Sequence, residues 1–131
     1  MENRFEYEFS FTQNDVNKFA EVTGDKNPVH LDEEYAGKTM FKRRIIHGFL
    51  AGSVFSKVFG TMFPGEGTIY LKQEMKFVAP MFTDVRYKAV FDIIDLNKEK
   101  GKAVVKTTIV DDKGAETIVG EAIIINEKMK Q

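Results

Sequence analysis

The sequence predicts an α+β fold, in which helices cover one face of an antiparallel sheet. Three observations lead to this prediction. The chain has 131 residues, the usual size of one domain, so we expect residues 1–131 to form a single domain. One stretch in the first half is apolar on nearly every side of a helix. After residue 68 apolar and polar residues alternate, as they do in strands.

The chain opens with a strand and a helix. Residues 5–11 alternate aromatic and polar side chains, which is typical of a half-buried strand. Thr12 and Asp15 have the spacing of a capping box, with Asp in place of the usual Glu. Apolar residues then recur at helical spacing as far as Gly24. Glycine often ends a helix in the left-handed conformation, so we expect this helix to stop there.

Two more helices are predicted before the sheet. Asp32 can cap a short helix at residues 33–37. Residues 48–59 form the most apolar helical candidate of the chain, which indicates a buried helix. Gly52 lies inside it, although glycine there costs up to about 1 kcal/mol relative to alanine. We interpret this glycine as a sign that another backbone comes very close.

Four strands are predicted in the second half, after a turn at residues 64–67. They cover about residues 69–77, 85–95, 102–111 and 115–126. One face of the first strand is expected to carry Ile69, Leu71, Met75 and Phe77, with Gln73 as an interruption. One face of the last carries Ile118, Gly120, Ala122 and Ile124. Its small residues could receive the buried helix. A long helix wrapped by a curved antiparallel sheet is the hot-dog arrangement, with which this order of elements is compatible.

The composition argues against several classes of function. A formal net charge of −1 leaves no overall electrostatic footprint for nucleic acid. The chain has no cysteine and therefore no disulfide or thiolate metal site, which fits an intracellular protein. No apolar run approaches the roughly 20 residues of a membrane span, and the polar, acidic N-terminus lacks the pattern of a signal peptide. We expect a cytoplasmic protein that binds neither nucleic acid nor membranes.

Residues 24–30, GDKNPVH, form the first candidate site. The proline disfavours a helical conformation at Asn27, so the segment is predicted to be stiff and non-helical. Asp25 and His30 can then point into one small volume, while the amide of Asn27 ties the turn. A carboxylate and an imidazole beside one water suit proton transfer in both directions. A structural reading remains open, in which Asp25 caps backbone amides and His30 starts a helix.

A second candidate is Gly48, the first residue of the predicted buried helix. The first amide groups of a helix lack internal partners and lie at its positive end, so they can stabilise a developing oxyanion. Glycine lets a ligand carbonyl approach closely. An acid–base pair with an oxyanion site is what the addition of water to an α,β-unsaturated thioester requires. Taken alone, His47 is more often structural, and the aromatic residues of 49–59 are core first and ligand pocket second.

The chain resembles the MaoC-type (R)-specific enoyl-CoA hydratases, in particular the short single hot-dog enzymes that supply polyhydroxyalkanoate synthesis. The resemblance lies in TGDKNPVHLD (23–32), IHGFLAGS (46–53) and PGEGTIYL (64–71), and extends over about residues 5–126. It implies a hot-dog fold and reversible hydration of trans-2-enoyl-CoA to (R)-3-hydroxyacyl-CoA. Asp25 and His30 would hold the water, the Gly48 amide would serve the oxyanion hole, and Asn27 would support the loop.

The resemblance also implies partners. It implies a homodimer with the acyl pocket near the subunit interface, a coenzyme A or acyl-carrier-protein thioester as substrate, and no metal or redox cofactor. His47, Phe49 and Ser53 of the second block are expected to bind substrate. Lys42, Arg43 and Arg44 lie just before this block, and by position and charge they are candidates for the phosphates of coenzyme A. As loop residues they are otherwise most often solvated.

Two other functions stay open at the level of sequence. A hot-dog acyl-CoA thioesterase would also use a carboxylate and a helix N-terminus, but the Asp-x-Asn-Pro-x-His block matches the hydratases. A non-enzymatic module that binds acyl thioesters would not need paired proton-transfer groups, so Asp25 and His30 argue against it.

Overall fold

One antiparallel sheet of five strands organises the fold, and the α+β class is confirmed. The computed structural model describes residues 2–131. The helices are α1 (Gln13–Thr23), α2 (Pro28–Leu31), α3 (Glu33–Gly37) and α4 (Gly48–Thr61). The strands are β1 (Arg4–Phe9), β2 (Ile69–Phe77), β3 (Tyr87–Asn97), β4 (Lys102–Val110) and β5 (Glu116–Ile125). A 3₁₀ turn at Glu127–Lys130, which was not predicted, follows the last strand.

The strands lie in the order β1-β3-β4-β5-β2, and each neighbouring pair is antiparallel. Short connections join β3 to β4 and β4 to β5, and each connection links strands that are neighbours in the sheet. β1 and β2 form the two opposite edges. The chain between them must therefore cross the sheet, and α4 is the long element of this crossing.

The predicted burial of α4 is confirmed. Its side chains with no more than 4% exposure are Ala51, Val54, Phe55, Val58 and Phe59. They share one core with buried residues of β1, β3, β4 and β5. The rings of Phe55 and Phe59 meet the ring of Phe91 in β3 edge-on, at centroid distances of 5.7 Å and 5.2 Å. No helix within residues 2–131 is long and apolar enough to cross a membrane.

The face predicted for the start of β2 is wrong. The register between β2 and β5 shifts at Leu71, which is an extra residue that pairs with none in β5. Because a bulge shifts the alternation by one residue, Tyr70 lies opposite the buried Ile124. Ile69 and Leu71 are left 57% and 50% exposed. From Gln73 onward the alternation agrees with the prediction, and Gln73 belongs to the inner face.

The close approach predicted at Gly52 is made by a side chain and not by a backbone. A Cβ on Gly52 would lie 2.6 Å from the sulfur of Met75. The glycine that a neighbouring backbone does require is Gly120, because a Cβ there would collide with the main chain at Glu74. Gly120 therefore admits the edge strand β2, and not the helix as expected.

Candidate active site

The segment of residues 24–30 begins as predicted and then departs from the prediction. Gly24 ends α1 in the left-handed conformation, with φ 80°. Asn27 is non-helical, at φ −54° and ψ 123°. The prediction that the whole segment is non-helical is wrong, because Pro28 opens the helical turn α2. Proline suits the first position of a helix, and the Asn27 side chain caps the turn by accepting from the Val29 N–H at 3.2 Å.

α2 places His30 inside the protein with its ring held on one side. The residue is only 8% exposed. Its Nδ1 lies 2.8 Å from the carbonyl oxygen of Ile45, and since a carbonyl can only accept, Nδ1 carries the proton and donates. In the neutral ring Nε2 then has a free lone pair. Gln13, the first residue of α1, donates from its side chain to the His30 carbonyl at 2.9 Å, which ties α2 to the start of α1.

The protein keeps His30 in its neutral form over a wider pH range than usual. Burial lowers the pKa of His30 below its ordinary value of 6.5, and the neighbouring His47 lowers this pKa further. The bond to Ile45 and the carboxylate of Asp25 oppose this shift of the pKa. A ring that is neutral near pH 7, with one nitrogen free, can accept a proton from a water.

Asp25, His30 and His47 converge. One carboxylate oxygen of Asp25 and one ring nitrogen from each histidine lie within 4.8 Å of one another. Asp25 is exposed, whereas both histidines are buried. The structure thus brings the two sequence-predicted acid–base groups into one small volume, and it adds His47, which had been expected to contact substrate.

The two histidines of this cluster lie beside the N-terminus of α4. His47 is the cap residue of this helix and makes no side-chain hydrogen bond to its amides. The first intrahelical bond is donated by Ala51, so the amides of residues 48–50 are not used within the helix. Gly48 also lies beneath an aromatic ring, since a Cβ there would be 2.5 Å from Cε1 of Phe77. Glycine at this position therefore keeps the helix start and the ring together.

A cavity of about 460 Å³ lies beside His30 and Gly48, and neither Asp25 nor His47 is part of its wall. Its wall includes His30 and Gly48 from the predicted site and Phe49 from the predicted substrate residues. The rest of the wall was not predicted to belong to the site, and it consists of Met40, Phe41, Ile45, Ile46, Phe77, Val78, Ala79, Pro80, Met81 and Ile118. Most of these residues are apolar, so the cavity offers an acyl chain a suitable environment. The motif at residues 46–53 was the local sequence signal for this cavity. The wall at residues 77–81 could not be predicted in this way, because its position depends on where β2 ends in the folded protein.

A second cavity of about 320 Å³ lies on the other side of Phe49 and is lined by Ser53. Ser53 donates its hydroxyl to the carbonyl of Leu50 at 2.6 Å. Tyr70 and Gln73 give this cavity a polar wall. Burial raises the pKa of Tyr70 to about 12, so it stays protonated and donates to the Gln73 side chain.

The three predicted phosphate ligands have different surroundings. Arg44 forms an ion pair with Glu33 at 2.9 Å. The guanidinium of Arg43 lies 3.8 Å from the centroid of the Phe82 ring, a cation–π contact that leaves its N–H groups available. Lys42 is exposed, in a left-handed conformation with φ 67°.

Asp25, His30 and His47 are also the group, within residues 2–131, whose potential ligand atoms lie close enough together to bind a metal ion. The rings of His30 and His47 are stacked, with centroids 3.8 Å apart and planes at 28°. A nitrogen lone pair lies in the plane of its ring, and the planes of two stacked rings do not meet close to both nitrogens, so one ion cannot bind both at the usual distance of about 2.1 Å. One imidazole with the carboxylate of Asp25 is the most that one ion could use. The prediction that the site works without a metal stays a prediction.

A helix enclosed by an antiparallel sheet, with a carboxylate and two imidazoles beside the helix N-terminus, is the arrangement of a hot-dog protein. The chain belongs to the MaoC like domain family, whose match covers residues 1–115. The hot-dog fold is confirmed by the solved structure of the (R)-hydratase of A. caviae involved in PHA biosynthesis. That structure aligns with a TM-score of 0.90 at 35% identity, over 94% of this chain and 93% of that one.

Curated relatives agree with this assignment. The chain is 38% identical over 110 residues to the (R)-specific enoyl-CoA hydratase of Aeromonas caviae, which covers 84% of this chain and 82% of that protein. It is 36% identical to the 3-hydroxybutyryl-CoA dehydratase of Methylorubrum extorquens, over 86% of this chain and 71% of that protein. The predicted family is therefore confirmed.

Proposed function

We propose that this protein catalyses the reversible hydration of trans-2-enoyl-CoA to (R)-3-hydroxyacyl-CoA. The relatives named above are hydratases and dehydratases, and the chain is an enzyme of this class, a hydro-lyase. One observation carries the finer proposal. The Asp25 carboxylate and a nitrogen of His30 lie within 4.8 Å of each other, and the cavity that His30 lines also reaches Gly48.

The proposed reaction uses the pair as acid and base on one water. One group takes a proton from the water as its oxygen bonds to the β-carbon, and the other group gives a proton to the α-carbon. Elimination of water reverses both transfers, so each group alternates between acid and base. His30 suits this exchange because its Nε2 is free while Nδ1 is held by Ile45. Negative charge that develops on the thioester oxygen is stabilised by the free amides that begin at Gly48.

The carrier is proposed to be coenzyme A, bound near residues 42–44. Lys42 and Arg43 support this role because neither is committed to a carboxylate in an ion pair among residues 2–131. Arg44 differs, since its charge is already paired with Glu33. A fork of guanidinium N–H groups and a mobile ammonium are both suited to phosphate oxygens. An acyl-carrier-protein thioester is the alternative substrate for the same chemistry.

The protein is proposed to act as a homodimer. β2 is an edge strand, and it carries the exposed apolar residues Ile69 and Leu71. Phe49, Phe77 and Val78 are also exposed and lie beside the cavities. Apolar groups clustered around an unpaired strand edge are what a partner subunit covers.

One assay tests the reaction. Crotonyl-CoA is mixed with the protein, and loss of the enoyl absorbance is followed with a thiol reagent in a parallel cuvette. Loss of absorbance without free thiol is expected. Release of thiol would instead identify a thioesterase, and no change with several acyl chain lengths or with acyl-carrier-protein thioesters would favour a binding module. Chiral analysis of the product then tests the (R) configuration.

A further inference from the structure

We propose that His47 is a positioning residue of this site, which fixes the loop of Asp25 and the ring of His30 relative to the start of α4. The inference rests on the proposed function, since it assigns a role in the same reaction. From sequence alone, His47 was expected only to be one of the substrate-binding residues. The geometry assigns it a different task, because its hydrogen bond and its stacking contact are both made to protein groups.

The hydrogen bond anchors the Asp25 loop. Residues 21–28 are all exposed, so few packing contacts hold Asp25 in place. Its own N–H is held locally by the Thr23 hydroxyl at 3.1 Å. The bond that connects Asp25 to the body of the protein runs from its carbonyl oxygen to Nε2 of His47, at 2.9 Å. Loss of this bond would leave the carboxylate on a loop tethered only to its own chain neighbours.

The stacking contact fixes His30. The ring of His47 lies between two rings, with His30 at a centroid distance of 3.8 Å and Phe19 at 4.8 Å. His47 is only 2% exposed, so it has little room to rotate. It also directly precedes Gly48, whose amide begins α4. One side chain thereby connects the carboxylate loop, the imidazole and the helix N-terminus.

The proton positions follow from these contacts. Because a carbonyl oxygen only accepts, Nε2 of His47 must carry the proton. Nδ1 of His47 is then without a proton, and it is buried with no hydrogen-bond partner within residues 2–131. A buried polar atom without a hydrogen-bond partner destabilises the folded state, and at His47 this cost accompanies the hydrogen bond to Asp25 and the stacking on His30. His30 has the opposite arrangement, with its proton on Nδ1.

The intact protein allows a first test by ¹⁵N NMR of the imidazole nitrogens at neutral pH. We expect the Nε2–H tautomer for His47 and the Nδ1–H tautomer for His30. Assignment to each residue uses the spectrum of a folded variant that lacks the His47 ring, which is His47→Phe or, if that variant does not fold, His47→Gln. A His47 ring protonated on Nδ1 would overturn the proposal, because it could not donate to Asp25. This test is independent of catalysis, so an inactive wild type would refute the proposed function without deciding the role of His47.

Kinetics provide the second test. His47→Phe keeps an aromatic ring in the stack but removes the donor, and we expect kcat for crotonyl-CoA to fall by at least about tenfold, since small misplacements of catalytic groups cost up to about a hundredfold. KM should change much less. His47→Gln, which retains an N–H donor, should recover part of kcat. Equal kcat in wild type and His47→Phe would overturn the proposal.

The pH profile separates positioning from general loss of structure. The titratable groups that face His30 are Asp25 and His47, and the charge of His47 lowers the pKa of His30. In His47→Phe the acid limb of kcat/KM should therefore move to higher pH. A variant that had merely lost active molecules would keep the limb where it is.

A double-mutant cycle with Asp25→Asn gives the final test. If His47 acts through Asp25, the double variant loses little more activity than Asp25→Asn alone, because residues that act as a unit are not additive. Fully additive losses would contradict the proposal. Should His47→Phe fail to fold, as judged by thermal unfolding, the cycle is run with His47→Gln, and the NMR result on the wild type decides.

Discussion

At the scale of single residues, the role proposed for His30 depends on which of its two nitrogens is already hydrogen-bonded. The Ile45 carbonyl takes Nδ1, so the nitrogen that remains for chemistry is Nε2. Asp25 differs, since its main chain is bound by Thr23 and His47 while the side chain is exposed. The pair thus joins a buried, oriented imidazole to a carboxylate within reach of solvent.

Removal of either group should disable the reaction. For Asp25→Asn and His30→Gln we expect kcat to fall by at least about a hundredfold, the usual contribution of general acid–base catalysis. The matched control is Asp32→Asn, because Asp32 only caps α3 by accepting from the Tyr35 N–H at 3.0 Å, and Asn is an equally good cap. Steady-state kinetics with crotonyl-CoA measure both effects. A fully active variant at Asp25 or His30 would refute the catalytic assignment.

His30 should also make stability depend on pH. Burial lowers its pKa below 6.5 in the folded protein, so at slightly acidic pH the unfolded chain binds a proton that the folded chain does not. The free energy of unfolding therefore rises with pH through the window that lies between the lowered pKa and 6.5. Urea denaturation at about pH 7.5 and about pH 5.5 measures this. The fall in stability at the lower pH should be smaller in His30→Gln, and an equal fall in both proteins would contradict the assignment.

The cations before α4 can be compared with one another. Lys42→Glu and Arg43→Glu should raise KM for crotonyl-CoA with little change in kcat, because the phosphates lie away from the reacting carbons. Arg44→Gln is the comparison variant, since Arg44 is paired with Glu33, and a smaller rise in KM is expected for it. An unchanged KM in both charge-reversal variants would refute the proposal that coenzyme A binds at this loop.

At the scale of elements, the first turn of α4 and the rest of this helix have different surroundings, and one glycine lies near each end of the helix. Its middle fills the core, while its first turn offers free amides to the cavity. Gly48 lies in the first turn of α4, under the Phe77 ring, whereas a Cβ built on Gly60, near the other end of α4, has nothing within 4 Å. The same substitution should therefore act differently at the two positions.

Gly48→Ala should lower activity, and Gly60→Ala should raise stability. The new methyl at Gly48 would force Phe77 or the helix start to move, and we expect kcat to fall by at least about tenfold. At Gly60, an exposed helical site, alanine should stabilise the fold by about 1 kcal/mol and leave kinetics unchanged. Thermal unfolding and crotonyl-CoA kinetics measure the pair. Equal kinetics for both variants would argue against an oxyanion site at Gly48.

At the scale of the whole molecule, local signals predicted well what local interactions determine. The capping box of Thr12 and Asp15 and the left-handed Gly24 are both present as predicted. Features that depend on distant partners were missed. The helical turn at Pro28 was not predicted. Proline disfavours a helical conformation at the residue before it, but it can itself be the first residue of a helix. The bulge at Leu71 reversed a predicted face, since register depends on β5, which lies about fifty residues further along the chain.

The candidate site divides in the same way. Residue types and spacing were enough to predict that Asp25, His30 and Gly48 belong to one site, because proton transfer and oxyanion binding restrict which residues can serve. The structure brings Asp25 close to His30 and places His30 and Gly48 on one cavity, while their catalytic roles stay a prediction. The cavity wall at 77–81 was not found, since those residues reach Gly48 only after β2 has joined the far edge of the sheet. The contact between His47 and Asp25 likewise joins residues 22 positions apart.

At this scale the proposed homodimer is also testable, because the edge strand β2 indicates where the two subunits would meet. A dimer that buries Ile69 and Leu71 should be disrupted when both are changed to Asp, because a buried carboxylate without a partner is costly. Light scattering should find wild type at twice the mass of one chain and the double variant at the mass of one chain. Ile94→Asp is the control, since Ile94 is also exposed but lies on β3, which has a neighbour on each side.

The dimer should also matter for activity. If Phe49, Phe77 and the cavities lie near the contact between subunits, the monomeric variant loses activity as well. A wild type that is monomeric and active at every concentration tested would contradict the dimer, and a dimer that survives both substitutions would place its interface elsewhere.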